Sequence, residues 1–117
     1  MGAWTGKELV VAGGGCCPER SPHTTFRDAA AYNPATRTWR KLPPMPAPRT
    51  DGKAVWDGKE VLFIGASRPV GSGFSLSGRG LAYNPATNRW RWLPPMPFPR
   101  FGFAAVWDGR QLLVWGG

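Results

Sequence analysis

The side chains able to do covalent or metal chemistry are few. Cys16 and Cys17 stand side by side, and the single histidine, His23, follows them at some distance. Zinc takes four ligands, commonly at Cys-x-x-Cys or His-x-x-x-His spacings. Two adjacent cysteines and one histidine fall short, so neither a metal site nor a cofactor is expected. A disulfide between chain neighbours would be strained, which leaves two free thiols as the expectation and the redox compartment open. No Ser or Cys stands at a recognisable nucleophile elbow. His23 therefore reads as a loop residue or a ligand contact, and no catalytic residue is assigned. Asp57 and Asp108 each precede a glycine, and Glu8 and Glu60 follow such turns at matching positions; all four read as structural.

Arginine offers the more promising chemistry. The chain carries 15 Lys and Arg against seven acids, for a formal net charge of +8. A guanidinium can hold a carboxylate or phosphate through two parallel hydrogen bonds. Arg20, Arg27, Arg68 and Arg79 fall in long connections, with Phe74 and Ser75 between the last two. Together they would form a basic rim attractive to acidic partners or sugars. The basic residues are otherwise spread out, with none of the runs that mark a nucleic-acid tail, which argues against nucleic acid as a partner.

The elements that must position these groups are repeated. Tyr32-Asn33-Pro34-Ala35-Thr36 recurs as Tyr83-Asn84-Pro85-Ala86-Thr87, 51 residues later. Trp39 recurs as Trp90, Leu42-Pro43-Pro44-Met45-Pro46 as Leu93-Pro94-Pro95-Met96-Pro97, and Val55-Trp56-Asp57-Gly58 as Val106-Trp107-Asp108-Gly109. Arg49 recurs as Arg100, just before the first strand of its repeat. Bonds between neighbouring repeats and contact with a ligand are both open to this pair. A period near fifty residues marks a propeller or solenoid array.

An apolar run ending in Gly-Gly, then a Tyr, then a Trp seven residues on, resembles the kelch repeat. Gly13, Gly14, Tyr32 and Trp39 give one copy; Gly65, with Ala66 after it, Tyr83 and Trp90 give a second; Gly116 and Gly117 open a third. The resemblance implies an all-β fold: a segment of a kelch-type β-propeller with about two four-stranded antiparallel blades and flanking strands. On this reading residues 1–14 hold the end of a blade's first strand and its second strand, and 15–42 the rest of that blade. Residues 49–93 form the second blade, and 100–117 the first two strands of a third. Lys53 could then face the central channel. Such rings usually need six or seven blades. The remaining blades are expected in a longer chain of which this is a piece, or in further copies of this one. Galactose oxidase is similar in its repeats and carries a copper site of tyrosines, one linked to a cysteine, and histidines. Here Tyr32 and Tyr83 are the repeat tyrosines and there is one His, so that set is missing.

Prolines and glycines punctuate the chain, and no window shows sustained helical periodicity. Leu9–Ala12, Val61–Ile64 and Leu112–Trp115 are apolar without alternation, as strands buried on both faces are. Residues 15–28 and 66–79 read as loops, Thr38 to Leu42 as an outer strand with Trp39 packed inward, and the prolines after it as a stiff crossing. Antiparallel order puts the long connections on one face and the tight turns on the other. Binding residues tend to sit on such loops. The expected function is a non-catalytic module presenting those loops to a protein or glycan partner. The alternative is part of a propeller enzyme acting on sugars, with its catalytic residues mainly outside this segment. Nothing resembles a signal peptide, and no apolar run approaches the roughly 20 residues of a membrane span. The compartment is left open.

Overall fold

A computed structural model describes residues 1–16, 24–70 and 73–117. Among these residues every regular element is a β-strand: β1 (Gly2–Trp4), β2 (Leu9–Ala12), β3 (Gly15–Cys16), β4 (Thr24–Thr25), β5 (Ala29–Asn33), β6 (Thr38–Lys41), β7 (Lys53–Trp56), β8 (Val61–Ile64), β9 (Ser67–Val70), β10 (Gly73–Leu76), β11 (Arg79–Asn84), β12 (Arg89–Pro95), β13 (Ala104–Trp107) and β14 (Leu112–Trp115). Two antiparallel four-stranded sheets follow the repeat, in the orders β1-β2-β5-β6 and β7-β8-β11-β12; β13 and β14 pair as the start of a third unit. The edge strands β1, β7 and β13 lie side by side, with β7 in the middle.

The turns follow from local chemistry. The Asp57 carboxylate accepts the backbone N–H groups of Lys59 and Glu60, and Asp108 accepts those of Arg110 and Gln111. In the first repeat the Thr5 hydroxyl does the same for Lys7 and Glu8. Such side-chain bonds close the turn by satisfying donors that the strand ladder cannot reach. These bonds draw the Asp108 carboxyl below its ordinary pKa.

The core lies between the first two sheets. Val10, Ala12, Ala29, Ala31, Leu42 and Met45 from one side meet Val61, Phe63, Leu81 and Tyr83 from the other. Because strand side chains alternate, Leu62, Ile64 and Ala82 lie on the opposite face of the second sheet, and they too are buried. Among the described residues the middle sheet is covered on both sides, as expected of its apolar strand, whereas β2 and β14 each have one face with no sheet of this chain against it. Leu9 and Val11 of β2 are half-buried, and Leu113 and Trp115 of β14 are exposed.

Trp39 is a first correction. It was expected inside, but it is 60% exposed and rests on Tyr32 at a ring separation of 5.0 Å. Its repeat partner Trp90 lies against Tyr83 at 5.1 Å and Phe63 at 5.3 Å, and its Nε1 donates to the Pro43 carbonyl at 2.7 Å. The difference is one of neighbours: within these residues Trp90 faces the first sheet, while no described sheet lies against Trp39.

The supposed loops carry strands of their own. β3 pairs with β4, and β9 with β10, in short hairpins. Pro69 is tolerated because this ladder has two edge strands and little register to break. The outer strand of the second sheet runs further than its counterpart β6, through Pro94 to Pro95, which pairs with Arg79 across a bulge. An outermost strand tolerates proline because one side of it has no partner to bond.

Candidate functional site

Antiparallel connectivity sends the β2–β5 and β8–β11 connections, and the proline-rich crossings, to one end of the sheets. The tight turns lie at the other end. The β3–β4 and β9–β10 hairpins of successive repeats touch each other. A backbone bridge, Thr50 to Ser67, ties the crossing to β9.

A groove of about 380 Å³ opens on this face, lined by Pro48, Arg49, Ser67, Ser75, Ser77, Arg79 and Trp92 among others. Arg49 is 3% exposed, and its Nη1 donates to the Gly65 carbonyl at 3.1 Å. Its Nε is buried with no hydrogen-bond partner. Burial lowers the guanidinium pKa, but arginine remains charged at any ordinary pH. Its guanidinium carbon lies 5.4 Å from the centre of the Trp92 ring, and that of Arg79 lies 5.2 Å from the same ring. Aromatic faces attract cations at such distances. Arg79 is exposed, and its carbonyl accepts the Ser77 hydroxyl. The Ser67 hydroxyl donates to Asp51 at 2.9 Å.

The remaining predicted positions are dispersed. Arg100 repeats the bond of Arg49, donating from Nη1 to the Gly116 carbonyl at 2.9 Å, in a more exposed setting. Each arginine thus holds a glycine of its own repeat rather than of a neighbouring one. Lys53 is exposed on β7. Arg68 stands on β9 in register with Ser75. Arg27 donates from Nε to the Met45 carbonyl at 2.6 Å. Arg20, His23 and Cys17 lie outside the described residues. No cluster of three His, Cys, Asp or Glu side chains placed to hold a metal occurs among the described residues.

The acids do structural work. Arg40 bonds Glu8 through Nε and Nη2, and Arg91 bonds Glu60 in the same way one repeat later. The Arg40 contact lowers the Glu8 pKa against an opposing effect of burial. Each pair spans the middle of its sheet, from the start of the second strand to the outer strand.

Sequence reasoning missed Trp92 as the platform between the two arginines. A signal was present. Trp92 and Arg79 stand where the first repeat has Lys41 and Asp28. Both groove residues fall at positions where the two copies disagree.

Residues 5–46 match the family model described as the Kelch motif. The chain is 35% identical over 107 residues to the kelch-like protein terF of Aspergillus terreus, covering 89% of this chain and 23% of that protein. It is 40% identical over 72 residues to an F-box/kelch-repeat protein of Arabidopsis thaliana, covering 55% of this chain and 21% of that one. The chain therefore spans only about a fifth to a quarter of the length of these curated relatives. The solved structure of YjhT superposes with a TM-score of 0.78 at 18% identity, covering 99% of this chain and 33% of that one. At that identity the likeness concerns the fold.

Proposed function

The chain belongs to the kelch-repeat β-propeller family, and from that premise we propose that it is a non-catalytic binding module whose long-connection face receives a protein partner. One observation carries the reading: the connections of irregular length, their added hairpins and the Arg49–Trp92–Arg79 groove all lie at one end of the sheets. The other end carries only tight turns closed by their own side chains. Variable loops on a rigid scaffold are a common place for recognition, while the family's fold by itself prescribes no activity. Residues 1–42, 49–93 and 100–117 would act as successive blades that hold this face in place.

Peptides selected from a displayed library against the protein provide the test. Phe74→Ser, on the exposed β9–β10 hairpin, should weaken the selected peptides about tenfold, as loss of an aromatic anchor does. Lys59→Glu, at a tight turn of the opposite end, should leave them unchanged. The reverse pattern would overturn the assignment of the binding face.

A further inference from the structure

We infer that the tight-turn end carries a second site, a groove between the first two sheets around Lys7, Trp56 and Lys59 that takes a phosphate monoester. It lies away from the long-connection face and does not depend on the function proposed for that face.

The first support is a repeated residue that the fold does not use. Trp4-Thr5-Gly6-Lys7, Trp56-Asp57-Gly58-Lys59 and Trp107-Asp108-Gly109-Arg110 share one pattern, in which a basic residue follows the turn glycine. The turns close because Thr5, Asp57 and Asp108 accept backbone N–H groups. The basic side chains contribute no bond to that closure, and among the described residues none of the three enters an ion pair. Lys7 and Lys59 are both exposed.

The second support is where sheet packing puts them. Lys7 of the β1–β2 turn and Lys59 of the β7–β8 turn line one groove of about 520 Å³, together with Trp56, Pro85 and the Glu8–Arg40 pair. That volume suits a small ligand. Glu8 is the acid of the lining, and Arg40 holds it through Nε and Nη2. Glu8 and, from the second sheet, the Tyr83 hydroxyl both raise the Arg40 pKa against an opposing effect of burial. The Tyr83 hydroxyl donates in turn to Asn88. Asp57 commits its Oδ1 to the N–H groups of Lys59 and Glu60. Two ammonium groups thus share the groove without an ion-pair partner for either.

The ligand follows from that count. Two cations are matched by a dianion, and a phosphate monoester carries about −1.5 to −2 charges at pH 7. Lysines bind phosphate as point charges. A carboxylate or a sulfate ester brings a single charge and leaves one ammonium unmatched. Trp56 is half-buried against the core. Among the described residues no cation lies over its ring, and its indole N–H makes no hydrogen bond. With Pro85 it offers apolar surface to the organic part of the ester, and the indole adds a donor.

The probe is phenyl phosphate, titrated calorimetrically at low ionic strength beside phenyl sulfate. The phosphate should bind about tenfold more tightly, the scale of one further charged contact. Lys7→Ala and Lys59→Ala should each weaken it about tenfold for the same reason. Arg110→Ala removes the same charge from the same turn position one repeat on, outside the groove, and should change binding by less than about twofold. Both lysines are exposed, so their loss leaves the fold intact, which circular dichroism verifies. Equal losses from all three variants would mean general attraction to a basic protein and overturn the inference. So would equal binding of the sulfate, or no binding of the phosphate. Phosphatidylcholine vesicles containing phosphatidylinositol 4-phosphate present the same monoester on a lipid. Cosedimentation that requires Lys7 and Lys59 would assign the site to a lipid headgroup. Phenyl phosphate binding without it would assign a soluble ester, and the phosphate site stands in both cases.

Discussion

Trp39 and Trp90 are the same residue of the same repeat, and the structure predicts unequal consequences for removing them. Trp90→Ala deletes a half-buried indole packed on Tyr83 and Phe63 and breaks its bond to Pro43. Core Trp→Ala changes cost roughly 3–5 kcal/mol. Partial burial places Trp90 near the lower end, and the lost hydrogen bond, about 1 kcal/mol, brings the sum to about 4 kcal/mol. Trp39 is 60% exposed and touches one ring. An aromatic pair contributes about 0.5–1.5 kcal/mol, so Trp39→Ala should cost about 1 kcal/mol. Trp90→Phe keeps most of the ring packing and isolates the hydrogen bond, for an expected loss of about 1–2 kcal/mol. Urea unfolding of this 117-residue chain, followed by far-UV circular dichroism, measures all three. Losses at Trp39 and Trp90 within about 1 kcal/mol of each other would refute the claim that packing between sheets, rather than position in the repeat, sets the energy.

Other perturbations test separate parts of the structure. A Cβ at Gly65 would lie 2.4 Å from the Phe103 ring at φ 66°, whereas at Gly58, φ 97°, it would meet nothing. In the same urea assay Gly58→Ala should cost about 1 kcal/mol from backbone strain alone, and Gly65→Ala about 2 kcal/mol more from the clash. Arg37 sits at φ 55°, where the second repeat has Asn88 at φ 57° bonding the Tyr83 hydroxyl. Asparagine tolerates that conformation better, so Arg37→Asn should raise stability by about 0.5 kcal/mol. Arg40 holds Glu8 ionised below its usual pKa. The pair's contribution is therefore present above the ordinary glutamate range and lost as pH falls through the lowered value. With Arg40 partly exposed, that contribution is under about 1 kcal/mol. Glu8→Gln should remove this part of the acid sensitivity, measured as thermal midpoint against pH, and should leave the slope at neutral pH unchanged.

Much of the fold was legible because it is local and repeated. Asp57-Gly58 and Asp108-Gly109 specify tight turns through bonds to their own backbone neighbours, and the Tyr and Trp of each copy mark the third and fourth strands. The all-β architecture and its period needed nothing beyond such patterns. The hairpins inside 15–28 and 66–79 were not legible, since their strands are two to four residues long and carry Gly and Pro. The candidate site was legible in part. Arg49 and Arg79 could be named as basic residues of the long-connection face, but nothing in their spacing shows that they share Trp92.

The sequence by itself determined which residues turn the chain, where each strand repeats and which side chains are apolar, because those properties depend on near neighbours along the chain. Tertiary structure alone decided that Trp90 is packed while Trp39 is open, and that Val61–Ile64 is covered on both faces while Leu113 and Trp115 are not. It also decided that Arg49 is buried with a donor unmet. Burial depends on what lies across a face. Identical repeats meet different neighbours, so the same residue carries different energy and different chemistry at each copy.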